Sequence, residues 1–157
     1  MTDDASHDFD QQFDLGRFLP YLLNQAAEAT SRSFQEAYRG DFGMSRTQWR
    51  VMANLGKFGA MTAAEICRIS HIEKTKVSRA VAALEAAGHL RREADPADRR
   101  AAHLSLTEAG RRVYGQLGLR ARDYDAALRA ALGVAEAEAL ERALRRLIAM
   151  GSPEQST

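Results

Sequence analysis

The sequence has one cysteine, Cys67, among its 157 residues. A single cysteine excludes a disulfide framework within the chain and fits a reducing compartment. No apolar run approaches the roughly 20 residues that a membrane-spanning helix needs. The chain begins MTDDASHDFDQQ, which is acidic where a signal peptide is basic. These absences predict a cytoplasmic protein that makes no contact with membranes.

The motifs of common enzymes and metal sites are also missing. The sequence has no glycine-rich phosphate loop, no nucleophile elbow and no paired carboxylates in an apolar setting. Its four histidines lack the spacing of a metal site, although His89 and His103 could face each other across a hairpin. We therefore expect no catalytic residue, no metal and no cofactor.

The charge of the chain is small in total but unevenly distributed. The formal net charge is only +1, so the total does not indicate a nucleic-acid partner. Residues 68–112 nevertheless hold ten basic and six acidic side chains, whereas the first fourteen residues hold five Asp and no Lys or Arg. A basic middle in a nearly neutral chain predicts one surface for an anionic partner.

Helical patterns occupy both ends of the chain. Apolar residues recur at helical spacing over residues 16–38, and the pattern returns over residues 107–130 and 135–150. Between these segments, S-R-T-Q from Ser45 and T-A-A-E from Thr62 match capping boxes, which begin two further helices. The apolar stripes of the terminal helices need a surface to bury against, which favours a dimer.

The segment EKTKVSRAVAALEAAGHL, residues 73–90, predicts a helix with two unlike faces. Val77, Val81 and Leu84 form one apolar stripe, whereas the opposite face is basic and hydroxylic. HLRRE and AHLSLT then alternate apolar and polar residues, as half-buried strands do, around the charged loop ADPADRRA. This order of elements predicts a mainly α fold with a small β-hairpin wing, the winged helix-turn-helix.

A winged helix-turn-helix of this composition suits double-stranded DNA. The major groove admits one α-helix, and its base edges are read by donors such as Arg, Lys, Ser and Thr. Arginines at the wing tip can reach an adjacent minor groove, and Arg91 on a strand flank lies nearer to phosphate. The predicted groove-facing residues of the helix are Lys74, Thr75, Lys76, Ser78 and Arg79.

Three stretches resemble the MarR (multiple-antibiotic-resistance regulator) family. They are TQWRVMANL (47–55), KTKVSRAVAALEAAGHLRRE (74–93) and DPADRRAAHLSLTEAGR (95–111), and the likeness extends from FLPYLL at 18 to the last helix. The resemblance implies a homodimer with interlocking terminal helices and two winged lobes that reach successive major grooves of a pseudo-palindromic operator. It also implies transcriptional regulation, most often repression, that a small aromatic or phenolic effector relieves.

The resemblance carries individual residues with it. Asp98 and Arg100 match the Asp-x-Arg of the wing, where the arginine enters the minor groove and the aspartate orients it, and Arg99 between them is expected to contact phosphate. The family geometry also implies an effector pocket between the lobe and the dimer helices. Its candidate ligand-binding residues are Tyr21, Asn24, Tyr38, Trp49, Arg50 and Met52.

The predicted organisation has one lobe between two dimerisation segments. Residues 45–106 form the DNA-binding lobe, residues 13–44 and 107–150 supply the dimerisation helices, and residues 1–12 and 151–157 are predicted to be disordered.

Two alternative functions stay open. One is a redox-responsive regulator that uses Cys67, although the neighbouring Ile66 and Ile69 favour a small buried apolar role. The other is a dimeric adaptor that keeps the fold without binding DNA, which salt-dependent binding to duplex DNA would distinguish.

Overall fold

A computed structural model describes residues 13–98 and 101–151. Within these ranges the chain forms a short 3-10 turn (Leu15–Arg17), seven α-helices and three short strands. The helices are α1 (Leu19–Ser33), α2 (Gln35–Arg39), α3 (Arg46–Phe58), α4 (Ala63–Ser70), α5 (Lys74–Ala86), α6 (Glu108–Leu132) and α7 (Val134–Gly151). The strands are β1 (Met61–Thr62), β2 (Leu90–Ala94) and β3 (Ala102–Leu106). The predicted disordered ends lie outside the described residues, except that Gly151 ends α7.

Both predicted capping boxes are confirmed. The Ser45 hydroxyl accepts the Gln48 amide at 3.2 Å, and the Gln48 side chain accepts the Ser45 amide at 2.6 Å. Thr62 and Glu65 make the same reciprocal pair at the start of α4. Each box satisfies two amides that a helix start leaves without partners, so these helices begin where the local sequence dictates.

The predicted N-terminal helix is wrong in one respect, because it forms as two helices, α1 and α2, that meet at Phe34. The hydroxyls of Thr30 and Ser33 donate to the carbonyls four residues earlier, at 2.8 and 3.0 Å. Such back-bonding competes with the helical ladder and bends helices. Periodicity over residues 16–38 does not register this local competition.

The three strands form one antiparallel sheet in the order β1-β3-β2. The hairpin register pairs Leu90 with Leu106 and Glu93 with His103. The expectation that His89 and His103 face each other is therefore wrong, because His89 precedes β2 and its carbonyl accepts the amide of Thr107. Strand β1 was not predicted, since two residues are too few to show an alternating pattern.

The core of the lobe lies between α3, α4, α5 and one face of the sheet. Its side chains include the predicted apolar stripe of α5, all of which is buried: Val77, Val81 and Leu84. Fully burying a side chain of this size is worth about 1.5–3 kcal/mol. Cys67 is partly buried and packs against this core. The core therefore fixes which face of α5 is left outside.

The long helix α6 is attached to the lobe by two close approaches. At Gly110 an added Cβ would lie 1.9 Å from the carbonyl oxygen of His89. At Gly56 an added Cβ would lie 2.4 Å from the ring of Tyr114. Gly110 requires glycine because a backbone carbonyl occupies the space of a side chain, and at Gly56 the ring of Tyr114 would have to shift to admit one. The lobe and α6 consequently pack directly against each other.

The terminal helices leave much apolar surface uncovered. Leu19 on α1 is 66% exposed, and Leu140 and Leu147 on α7 are 45% and 43% exposed. A groove of about 590 Å³ lies between α1, α6 and α7, with walls that include Leu23, Leu128 and Leu144. Among the described residues, no helix is long and apolar enough to cross a membrane.

Candidate DNA-binding surface

Helix α5 presents all five predicted groove-facing residues to solvent. Its apolar stripe, together with Ala80, faces the core. The exposed residues on the remaining surface are Lys74, Thr75, Lys76, Ser78 and Arg79. The outer face is thus rich in hydrogen-bond donors and free of large apolar groups, which is the composition that reads base edges in a major groove.

The cations on this face are weakly neutralised by the protein itself. Lys76 lies 3.9 Å from the carboxylate of Glu73, and both side chains are well exposed. In the described part of the chain, Lys74 and Arg79 have no ion-pair partner within 4.0 Å. A phosphate or a base edge would therefore meet charges that are not already satisfied.

The arginines of the wing strands make contacts within the protein that the sequence did not predict. The Arg91 guanidinium donates to the Ser105 hydroxyl at 3.0 Å and lies 3.1 Å from the Glu93 carboxylate. Arg92 lies 3.7 Å from Glu85 at the end of α5. Arg91 is on the strand flank as predicted, but a phosphate would have to compete with Glu93 for it.

The loop between β2 and β3 is organised by a residue that sequence reasoning missed, Asp95. One carboxylate oxygen accepts the amide of Ala97 at 2.8 Å, and the other lies 3.1 Å from Nε2 of His103. The Ala97 amide chiefly, and then His103, hold the pKa of Asp95 below its usual range. The Asp-Pro start of the loop, which favours such turns, was the available signal.

Asp98 lies in the same loop and is exposed, and its carbonyl accepts the Ala101 amide at 3.0 Å. Arg99 and Arg100 lie outside the described residues. The predicted contact between Asp98 and Arg100 therefore stays a prediction.

Comparisons with known proteins agree with this geometry. A family model described as the MarR family matches residues 42–101, which include α3 to α5 and the hairpin up to the start of β3. The chain is 27% identical over 106 residues to the uncharacterized HTH-type transcriptional regulator YwoH of Bacillus subtilis, covering 68% of this chain and 76% of YwoH. It also superposes on the MarR family transcriptional regulator SPO1453 of Silicibacter pomeroyi with a TM-score of 0.79 and 28% identity, covering 90% of this chain and 100% of SPO1453.

By these matches the chain is similar to MarR-family regulators. These relatives are transcriptional regulators and not enzymes. The chain shares their winged helix-turn-helix fold, so the predicted fold class is confirmed. A third similar protein is BpsR of Bordetella bronchiseptica, whose DNA binding is regulated by 6-hydroxynicotinic acid. BpsR aligns with a TM-score of 0.73 and 26% identity, covering 82% of this chain and 97% of BpsR.

The chain also has a cleft of about 520 Å³ between α1, α2, α3 and the end of α4. Three of the six predicted ligand-binding residues line it: Tyr38, Trp49 and Arg50. The other lining residues are Ala27, Ser31, Phe34, Arg46, Ser70 and His71. The cleft therefore combines an aromatic wall with two guanidinium groups.

The remaining three candidates do not line this cleft. Met52 is fully buried in the core of the lobe. Tyr21 and Asn24 are exposed on α1, about two turns and one turn before Ala27, where the cleft ends. The family resemblance pointed to α1 but could not show where along the helix the cleft stops.

The polar groups of the cleft are constrained by their neighbours. The Arg50 guanidinium donates to the Ser70 carbonyl at 2.5 Å, and burial, followed by repulsion from Arg46, lowers its pKa. Arg46 bonds Glu28 on α1 at 2.8 Å, which lowers the pKa of that carboxyl. Burial raises the pKa of Tyr38, whose ring stacks on Trp49 at a centroid distance of 6.4 Å.

Proposed function

We propose that this protein is a homodimeric repressor that binds a pseudo-palindromic operator and releases it when a small aromatic ligand occupies the cleft. The observation that carries the DNA part is the division of α5 into a buried apolar stripe and an exposed face of donors. A face of this kind on a winged helix-turn-helix fits the major groove. The protein then acts in the cytoplasm, where its DNA partner lies.

The proposed contacts divide into base contacts and phosphate contacts. Arg79, Ser78 and Thr75 have the side chains that hydrogen-bond base edges, and Lys74, Lys76 and Arg91 are assigned to phosphates or the groove margin. In the wing, Arg100 is assigned to the minor groove, Arg99 to phosphate and Asp98 to the orientation of Arg100, as the family resemblance implies.

The uncovered apolar faces of α1 and α7 support the dimer. An isolated monomer rarely exposes so much contiguous apolar surface, and the groove between α1, α6 and α7 has the size and apolar walls to receive a helix. A second copy of the chain supplies helices with apolar faces of the same kind. We therefore assign dimerisation to residues 13–44 and 107–150 and DNA binding to residues 45–106.

The composition of the cleft supports the ligand class. The rings of Phe34, Tyr38 and Trp49 offer a flat apolar wall, and Arg46 and Arg50 offer charge-assisted donors. An aromatic acid presents the complementary groups, and 6-hydroxynicotinic acid, which regulates DNA binding by BpsR, has this chemistry. The cleft lies between α1 and the helices of the lobe, so occupancy can change their relative positions.

The test begins with DNA selected from a random duplex library by the purified protein. Binding of the selected duplex is measured by fluorescence anisotropy over a range of salt concentrations, with Arg39→Ala as a control. Arg39, on α2, is also exposed and, within the described residues, has no ion-pair partner. We expect Arg79→Ala to weaken the preference for the selected duplex and Arg39→Ala to retain it.

Two results would contradict the proposal. If no sequence is enriched and binding has no salt dependence, the chain is an adaptor that does not read DNA. If light scattering finds a monomer that binds a single half-site at full affinity, the dimer assignment is wrong. For the ligand, a panel of aromatic acids should release the duplex from the wild type but not from Arg50→Gln, and release from both equally would move the site elsewhere.

A further inference from the structure

The wing loop is tied down at its base by Asp95. Its carboxylate accepts the Ala97 amide at 2.8 Å on the outgoing side of the loop, and its own amide donates to the Ala101 carbonyl at 3.1 Å on the returning side. The same carboxylate lies 3.1 Å from Nε2 of His103 on β3. One residue therefore connects the end of β2, the loop and the returning strand.

His103 lies among acidic groups on the outer face of the sheet. Asp95 faces it from the loop, and Glu93 is its cross-strand partner on β2. From the third side, Thr62 on β1 is its other strand partner, and Glu65 at the start of α4 is close enough to sense the charge of His103. Arg91 on the same face of the sheet lies 3.1 Å from the Glu93 carboxylate and bonds Ser105, so Asp95 is the carboxylate that contacts His103 directly.

The direction in which pH changes this contact follows from the protonation states of Asp95 and His103. Since the Ala97 amide and His103 lower the pKa of Asp95, its carboxylate stays ionised across the pH range in which histidine titrates. When His103 is neutral, it can offer Asp95 only an uncharged hydrogen bond. When His103 is protonated, the contact becomes a charge-assisted ion pair.

We propose that Asp95 and His103 form a clamp that positions the wing, and that protonation of His103 tightens this clamp and strengthens binding of the wing to DNA. Asp95 and His103 act here as positioning residues. Arg99 and Arg100 lie in the sequence between Ala97 and Ala101, the two points that Asp95 holds. A loop ordered beforehand loses less conformational freedom on binding. The functional half of this inference rests on the proposed DNA binding.

The first test needs no DNA. In 15N-labelled protein, the heteronuclear NOE of the Ala97 amide reports the order of the loop, and the imidazole carbon shifts report protonation of His103. We expect the Ala97 NOE to rise between pH 8 and pH 6 in the wild type, following the His103 titration. In His103→Gln the NOE should not change with pH. An Ala97 amide with the same order at both pH values would overturn the clamp.

The second test measures binding of the in vitro selected duplex and of a scrambled duplex at pH 6 and pH 8. Because the side chains of His103 and Asp95 are 42% and 25% exposed, we expect the wild type to gain only about two- to fivefold more affinity for the selected duplex at pH 6 than His103→Gln gains. His7→Gln is the matched control, because it removes a histidine that is distant in sequence from Asp95 and His103. It should follow the wild type.

The variants of Asp95 separate positioning from simple folding. Asp95→Asn keeps an oxygen that can accept the Ala97 amide but removes the charge, so the loop should stay ordered while the pH response disappears. Asp95→Ala should lose both the order of the loop and the pH response. If His103→Gln and the wild type show the same pH response, the clamp does not control binding. If no duplex is bound at all, the proposed function fails, and the NOE measurement still decides whether the clamp exists.

Discussion

Replacing Gly110 by alanine should destabilise the protein more than any other single methyl group added to α6. The new Cβ would lie 1.9 Å from the His89 carbonyl oxygen and 2.9 Å from its carbon, and both belong to the backbone. A backbone carbonyl cannot rotate away as a side chain can. Relief requires α6 to move from the start of β2.

The magnitude follows from the contacts at this junction. Overpacking of this kind costs roughly 1 to 3 kcal/mol. Moving α6 also stretches the bonds that Thr107 makes, from its amide to His89 at 3.1 Å and from its hydroxyl to Gly88 at 2.6 Å, each worth about 1 kcal/mol. The better helix propensity of alanine returns up to about 1 kcal/mol. We expect a net loss of about 2 to 4 kcal/mol.

Urea denaturation at one fixed protein concentration measures this loss, since a dimer would make stability concentration-dependent. Gly115→Ala is the matched control, because it lies in the same helix and a Cβ there meets nothing within 4 Å. It should gain up to about 1 kcal/mol from helix propensity. If Gly110→Ala proves as stable as Gly115→Ala, the close approach does not exist and the packing of α6 on the lobe is wrong.

Four further predictions follow from the same structure. Arg79→Ala should cost roughly 1 to 3 kcal/mol of discrimination between selected and scrambled duplexes; an equal loss of affinity for both would contradict a base contact. Asp98→Ala should weaken DNA binding at both low and high salt although it removes a negative charge, and tighter binding at low salt would exclude the orienting role. Leu147→Glu should convert the dimer to a monomer in light scattering, because it places a charge on the exposed apolar face of α7; an unchanged mass would exclude that face from the interface. The amide and hydroxyl of Thr62 lower the pKa of Glu65 from about 4.5, so its stabilising effect is present at neutral pH and is lost as the pH falls through the lowered pKa. The advantage of the wild type over Glu65→Gln in thermal unfolding should therefore shrink in acid, and an equal advantage at pH 7 and pH 3 would contradict this cause.

The elements that could be predicted from the sequence are those whose causes are local. The boxes at Ser45 and Thr62 involve groups three residues apart, and both helices begin there. Gly88 stops α5 with a φ of 75°, a conformation that glycine adopts without strain. The apolar stripe of α5 predicted its buried face, and hence its exposed face, because helical periodicity alone decides which side chains share a side.

The sequence by itself thus determined the order of the elements, the winged helix-turn-helix class and the face of α5 that is left exposed. Tertiary structure decided the contacts between residues distant in sequence. These include the pairing of β1 with β3 and the close approach of Gly110 to the His89 carbonyl. They also include the extent of the cleft, which Tyr21, Asn24 and Met52 do not line. It also decided that Asp95 meets His103, eight residues away, at the base of the wing. No periodicity encodes such contacts, because they depend on the register of strands and on where one element ends against another.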